Sequence, residues 1–292
     1  MEMSVEHYRD SQDRPVGMWS MHARQRRLWL CKLRAFVSMA GLRDRMMLLN
    51  LKRGDDILDI GCGGGRPILT TIGRVSGLEP IKELAVQARK VYPEVAEGYA
   101  EEMPFPNERF DAVVSTDILG HIPVATKDAV ISEIHRVLRP GGMTLHLAEV
   151  DSDGWVARIA KREPIPYQKT WVDEPDHRAM EPAGVLIERF RKAGFVIEKA
   201  QPMQAIIPQC GFLSVAFREH EKLPVWLKAL RSVDRQLSRR EVLSEIVCLA
   251  LTPFAVVNLF GRVESGLGLI LRARKPAVEA DRTRIRPGDE LK

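Results

Sequence analysis

Cysteine is scarce in this sequence. Its 292 residues hold four, Cys31, Cys62, Cys210 and Cys248, all far apart along the chain. Neither a zinc-ribbon spacing nor a disulfide framework is present, and reduced thiols fit a cytoplasmic setting. Aromatic residues contribute only 6%. The apolar stretch over residues 246–260 is interrupted by Pro253 and falls short of the roughly 20 residues a membrane-spanning helix needs. It is expected to form a buried or lid helix, and an interfacial role stays open. No early segment reads as a signal peptide, because Arg24, Arg26 and Arg27 interrupt any apolar run. Internal repeats and low-complexity blocks are lacking as well. A large excess of one charge is also missing. The net charge is +5, and all of it lies beyond residue 150, where 24 Lys and Arg stand against 19 Asp and Glu. A surplus of that size describes a solvated basic surface, and no added RNA-binding module accompanies it, so a nucleic-acid partner is not expected.

What is there is ordinary globular material, 45% hydrophobic and 28% charged, long enough for one α/β domain of roughly 200 residues plus an appended region. In residues 1–50, Trp19, Leu28, Trp29, Leu30, Leu33, Phe36 and Val37 recur near helical spacing. Gly41 is a plausible stop, and a short helix over 46–51 leads into the first strand. From Asp56 onward, strands alternate with helices. Strands are predicted over 57–60, 75–78, 95–99, 110–115 and 143–150, with helices over 66–72, 82–91 and 127–138. Arg139-Pro140-Gly141-Gly142 should break the chain before the fifth strand. A helix over 183–193, closed by Gly194, precedes a sixth strand over 195–200, and a final strand is expected over 268–273. This alternation predicts an α/β fold, a Rossmann-like seven-stranded sheet with helices on both faces, preceded by N-terminal helices. The expected division is a helical cap over 1–50, a Rossmann-like core over 51–204, a helical insertion or acceptor lid over 205–263, the final strand within 264–276, and a tail over 277–292.

The sharpest chemical signal is Asp59-Ile60-Gly61-Cys62-Gly63-Gly64-Gly65, directly after an apolar strand and before a helix. Glycines there let the backbone turn tightly and approach a ligand. A dinucleotide fingerprint looks similar. Asp59 separates the two readings, because a carboxylate before the turn suits a cationic amino group and repels a pyrophosphate. Glu79 follows at the end of the second strand, where a carboxylate can accept both hydroxyls of a ribose. The bland alternative for Glu79 is a solvated acid at a helix start.

The segments DIGCGGG, LEPIKELAVQAR, GYAEEMPFPNERFDAVVSTDILGHI and VLRPGGMTLHLAEV, in this order, resemble class I S-adenosylmethionine-dependent methyltransferases, nearest the branch acting on small molecules, quinones, lipids and glycans. The resemblance implies S-adenosyl-L-methionine as cofactor. It implies that Gly61, Cys62 and Gly63 pass under the cofactor, that Asp59 holds its methionine amino group and that Glu79 grips its ribose. Ala100 and Glu101 would meet the adenine, and Ser115 and Thr116 would line the methionine end. Tyr99 departs from the acid or amide that relatives carry there.

His121 sits where the transferred methyl should point, and its ordinary pKa suits a general base acting on a hydroxyl. Packing or capping is its bland alternative. Some quinone and RNA methyltransferases hold a metal here through acids at the positions of Asp117 and Gly120. Gly120 cannot ligate, so no metal is expected. His135 is expected to be exposed and His146 buried with a partner, while His177, Tyr167, Trp171 and Trp226 are candidates to touch the acceptor. The acceptor implied is a small, hydrophobic or amphiphilic, lipid-like molecule, compatible with peripheral membrane contact. The alternatives are a catalytically silent cofactor-binding interaction protein and an RNA methyltransferase. Oligomeric state is left open.

Overall fold

A computed structural model describes residues 41–174, 177, 179–208 and 210–277. The expected helical cap before residue 41 and most of the tail lie outside the described residues. The described chain runs through α1 (Leu42–Asn50), β1 (Asp56–Ile60), β2 (Arg74–Glu79), α2 (Lys82–Ala88), β3 (Glu94–Glu97), β4 (Phe110–Thr116), α3 (Lys127–Val137) and β5 (Leu138–Glu149). It continues with α4 (Trp155–Ala160), α5 (Ala183–Lys192), β6 (Val196–Met203), α6 (Phe212–Ala216), α7 (Val225–Ser238), α8 (Glu241–Leu251) and β7 (Gly268–Arg274). The seven strands form one sheet in the order β3-β2-β1-β4-β5-β7-β6. The first five are parallel, and β7 pairs antiparallel with both β5 and β6.

The strand residues explain the layering. Side chains alternate across a strand, so Leu58 and Ile60 face one apolar layer and Ile57 the other. Val130, Ile131, Ile134 and Val137 of α3, with Leu186, Ile187 and Phe190 of α5, close the first layer. Met46 and Met47 of α1 close the second. A central strand covered on both faces reads as a continuous apolar run, and the sheet presents its parallel strand ends at β1 and β4, where a crevice forms.

Three local expectations needed correction. The helix over 66–72 reduces to a 3-10 turn at Leu69–Thr71. Pro67 and the β-branched Ile68, Thr70, Thr71 and Ile72 crowd this stretch, and the Thr70 and Thr71 hydroxyls donate to the carbonyls of Pro67 and Ile68, competing with the helical ladder. Arg139-Pro140-Gly141-Gly142 does not separate helix from strand, because β5 begins at Leu138. The extra residues are absorbed as an irregularity in which Phe110 pairs with Leu138 and Ala112 with Met143. Gly141, at φ 78°, supplies the left-handed residue this bulge requires. The third strand is shorter than predicted, and ends at Glu97.

Between β6 and β7 the described residues hold α6, α7 and α8, followed by 3-10 turns over Thr252–Phe260 and Val263–Ser265. This segment builds a separate apolar cluster in which Leu213, Ala216, Phe217, Leu223 and Leu227 pack on Val156 and Ala160 of α4. Trp171 joins it, its indole N–H donating to the Ala216 carbonyl at 2.9 Å. Cys210 and Cys248, 38 residues apart in sequence, are brought together here. A hydrogen bond with Cys248 pulls the Cys210 thiol below its ordinary range.

Candidate functional site

The glycine turn leaves β1 with Gly61 at φ 61° and Gly63 at φ 55°, a backbone region that favours glycine. Space imposes the same choice at Gly61: a Cβ there would lie 2.7 Å from Ile118 Cδ1, in the loop after β4. The Gly61 and Cys62 amides both donate to the Leu78 carbonyl, at 2.8 and 3.2 Å, pinning the turn against the end of β2.

Glu79 is 4% exposed and braces that turn directly. Its Oε2 accepts the Gly63 N–H at 2.8 Å and its Oε1 the Ile81 N–H at 3.1 Å. Burial raises its carboxyl above the ordinary range, and the two backbone donors oppose that rise. Each oxygen keeps further lone-pair capacity for a ligand hydroxyl. Asp59 is equally buried and accepts the Tyr92 hydroxyl at 2.7 Å. Tyr92 in turn accepts the Arg66 amide. Burial lifts the Asp59 carboxyl above its usual range, against the pull of Arg66 and of Tyr92. The Cys62 thiol is pushed far up, first by burial and then by Asp59 and Glu79, so it stays neutral.

The other expected cofactor residues divide. Thr116 is half-buried and accepts from Arg66 at 2.5 Å, while Arg66 also reaches Asp44 of α1 at 3.2 Å. The Ser115 hydroxyl, by contrast, is fully buried against His146 Nδ1 at 2.7 Å, leaving only its backbone for a ligand. Thr144 holds the other nitrogen of His146, and burial drives that ring down to about 3. Ala100 is half-buried against the core, Glu101 is exposed, and Tyr99 is 54% exposed. His135, expected to be exposed, is half-buried with its ring edge-on to Phe195 at 5.1 Å.

Sequence reasoning missed what surrounds His121. Asp117, at φ 59°, opens the loop after β4, and Arg43 Nε donates to its Oδ2 at 2.6 Å. Glu149, at the end of β5, is nine-tenths buried. His177 Nε2 stands 3.7 Å from Glu149 Oε1, and the His177 ring is 5.0 Å from that of His121. Burial, then the charge of His121, pushes His177 down to about 3. Burial and the neighbouring Asp117 push Glu149 well above the ordinary carboxylate range. Thus His121 and His177, two of the residues singled out in the sequence, meet at one place. Tyr167 and Trp171 go instead to the apolar cluster of the insertion, their rings 5.5 Å apart. Trp226 lies beside Trp155, with ring centroids 6.1 Å apart. Trp171 thus packs in that cluster while His177, six residues later in sequence, stands in the histidine site.

Replacing Glu79 with alanine removes a brace of the turn together with the acceptor expected for a ligand hydroxyl. The expected loss in S-adenosylhomocysteine affinity is about 1–3 kcal/mol, roughly 5- to 150-fold in Kd. Unchanged affinity by calorimetry would remove Glu79 from the site.

Residues 58–145 match the family profile described as Methyltransferase domain. Among curated relatives, a sterol 24-C-methyltransferase from Gibberella zeae is 36% identical over 108 residues, covering 32% of this chain and 28% of the relative. A demethylmenaquinone methyltransferase from Lysinibacillus sphaericus is 33% identical over 121 residues, covering 38% and 51%. The chain thus spans about a quarter to a half of the length of these relatives. Among solved structures, a phospholethanolamine N-methyltransferase from Haemonchus contortus superposes with a TM-score of 0.54 at 19% identity, over 94% of this chain and 60% of that one. The glycine turn, the acid at the end of β2 and the strand order therefore belong together with that match: residues 58–145 are similar to a methyltransferase domain, set in a sheet of the same fold.

Proposed function

We propose that this chain transfers the methyl group of S-adenosylmethionine to a small, hydrophobic or amphiphilic acceptor, releasing S-adenosylhomocysteine. The observation that carries the reading is the buried carboxylate pair around the glycine turn, Asp59 below it and Glu79 bracing it. The residues fit the cofactor. Gly61 has no room for a Cβ beside Ile118, the free lone pairs of Glu79 suit a ribose diol, and the raised proton affinity of Asp59 is what a cationic amino group would relieve. Ala100 and Glu101 would flank the adenine, and Thr116 with the Ser115 backbone the methionine end.

The cofactor supplies an electrophilic methyl on a sulfonium. Holding a nucleophile in line with it accounts for much of the rate. For a hydroxyl acceptor, an oxygen lone pair forms the new C–O bond as the C–S bond breaks, and His121 takes the hydroxyl proton. A lipid-like acceptor is supported by the apolar side chains that the insertion leaves exposed, Trp226, Leu230 and Val233 of α7 among them. The same face is compatible with a peripheral membrane contact. In calorimetry the protein should bind S-adenosylmethionine and S-adenosylhomocysteine and give no heat with NAD. Binding of NAD, with neither of the other two, would overturn the reading.

A further inference from the structure

Gly120 offers no ligand atom, yet the space where its side chain would stand is occupied. A Cβ built on Gly120 would lie 3.2 Å from Glu149 Oε2 and 3.4 Å from Glu149 Cβ. The carboxylate missing from the β4 loop is thus supplied in space by the end of β5. Around it, one ligand atom each from His121, Glu149 and His177 lies within 4.8 Å of the other two.

This cluster is not a closed set of hydrogen bonds. Both Glu149 oxygens are buried and accept no hydrogen bond among the described residues. The 3.7 Å to His177 Nε2 is too long for one. Glu149 is buried and Asp117 partly buried beside Arg43, whose guanidinium already donates to Asp117. A buried carboxylate that accepts no donor is unfavourable, and a cation drawn to this place would relieve it. Two imidazoles and a carboxylate are the donors that first-row transition ions such as zinc take, with one or more positions left open. Donors around a tetrahedral ion with bonds of about 2.1 Å stand about 3.4 Å apart, so the three side chains need close by little more than a rotamer adjustment.

We propose that His121, Glu149 and His177 form a binding site for one divalent transition-metal ion, with Asp117 and Arg43 as its supporting ion pair. The protein alone holds the ion, independently of methyl transfer. Its consequence for chemistry rests on the function proposed above: an open position beside His121 would take the oxygen of a hydroxyl acceptor and loosen its proton, as a Lewis acid does. A ligating His121 could not also accept that proton, which would then leave to bulk water.

The test uses the full chain, stripped with chelator and dialysed against Zn2+, with metal content measured by elemental analysis and Co2+ used as a spectroscopic probe. Wild-type protein should take up one ion per chain, and Co2+ should develop ligand-field absorption. Loss of a ligand should cost at least the ~10–100-fold that losing a supporting partner costs, so Glu149→Gln and His177→Ala should each weaken binding by about 100-fold or more. His135→Ala, a histidine outside the cluster, should bind like wild type. S-adenosylhomocysteine affinity, unchanged in all four proteins, reports folding and tests the cofactor reading separately. Wild-type protein that binds S-adenosylhomocysteine but no ion would overturn the site, as would ion binding that survives both ligand substitutions.

Discussion

His121→Ala should lower turnover by about 10²–10⁴-fold for a hydroxyl acceptor, the usual contribution of a positioned general base. The residue sits in the loop after β4, its amide donating to the Ile118 carbonyl at 3.0 Å. Ile118 in turn packs over Gly61. Shortening the side chain leaves that backbone contact intact, so affinity for S-adenosylhomocysteine should stay near wild type. The chelator response of the wild-type enzyme then separates the two roles open to the imidazole. A base acts without an ion, whereas a ligand fails when the ion is withdrawn. Near-wild-type turnover of the variant on its acceptor would demote His121 to packing and point to carbon or amine chemistry. Lost cofactor binding would make the residue structural.

Phe190→Ala should destabilise the fold by about 3–5 kcal/mol, the range for deleting a fully buried aromatic side chain. Against a total stability of about 5–15 kcal/mol that is a large fraction, and the thermal midpoint should fall on the order of 10 °C. Phe190 is 0% exposed. Its ring lies 5.6 Å from Phe195 and 5.0 Å from His146. Behind it stands the His146 network with Ser115 and Thr144, all three fully buried. Opening a cavity there removes dispersion contacts and loosens the packing around three buried polar groups at once. Phe190→Leu, which fills most of the space, should cost only about 1 kcal/mol. A midpoint shift of the alanine variant no larger than that of the leucine variant would mean that α5 collapses onto the sheet freely.

Much of the core was legible because its signals are local. Ile57-Leu58-Asp59-Ile60 is a short apolar run, and a strand buried on both faces must look like that. Gly61, Gly63 and Gly65 after it adopt left-handed φ values, and Gly61 also lies close against Ile118. Glu79 could be placed because a strand end lies a countable distance from the turn. Val130, Ile131, Ile134 and Val137 named the buried face of α3 by their spacing alone. The failures were also local in origin. In residues 66–72, threonine hydroxyls compete for carbonyls that a helix would use. At Arg139-Pro140-Gly141-Gly142, glycine and proline mark a bulge as readily as a loop.

The histidine site is of another kind. Arg43 and Asp117 are 74 residues apart, and Glu149 and His177 come from different elements again. No spacing rule joins them, because chain distance says nothing about proximity across a sheet. Gly120 argued against a metal when only its own loop was considered. Once β4 and β5 pair, with Thr116 opposite Leu147, the end of β5 is carried to the same place and its carboxylate fills the gap. Ser115 shows the reverse: its position at the end of β4 was readable, while the direction of its hydroxyl depended on which face His146 and Phe190 came to occupy. Period and turn chemistry, which act over a few residues, were enough to place most of the strands and the glycine turn, while the cofactor was implied by the resemblance of four motifs in order. The acid–histidine cluster was decided only by packing, since buried charges find their neighbours through the close contact of elements far apart in the chain.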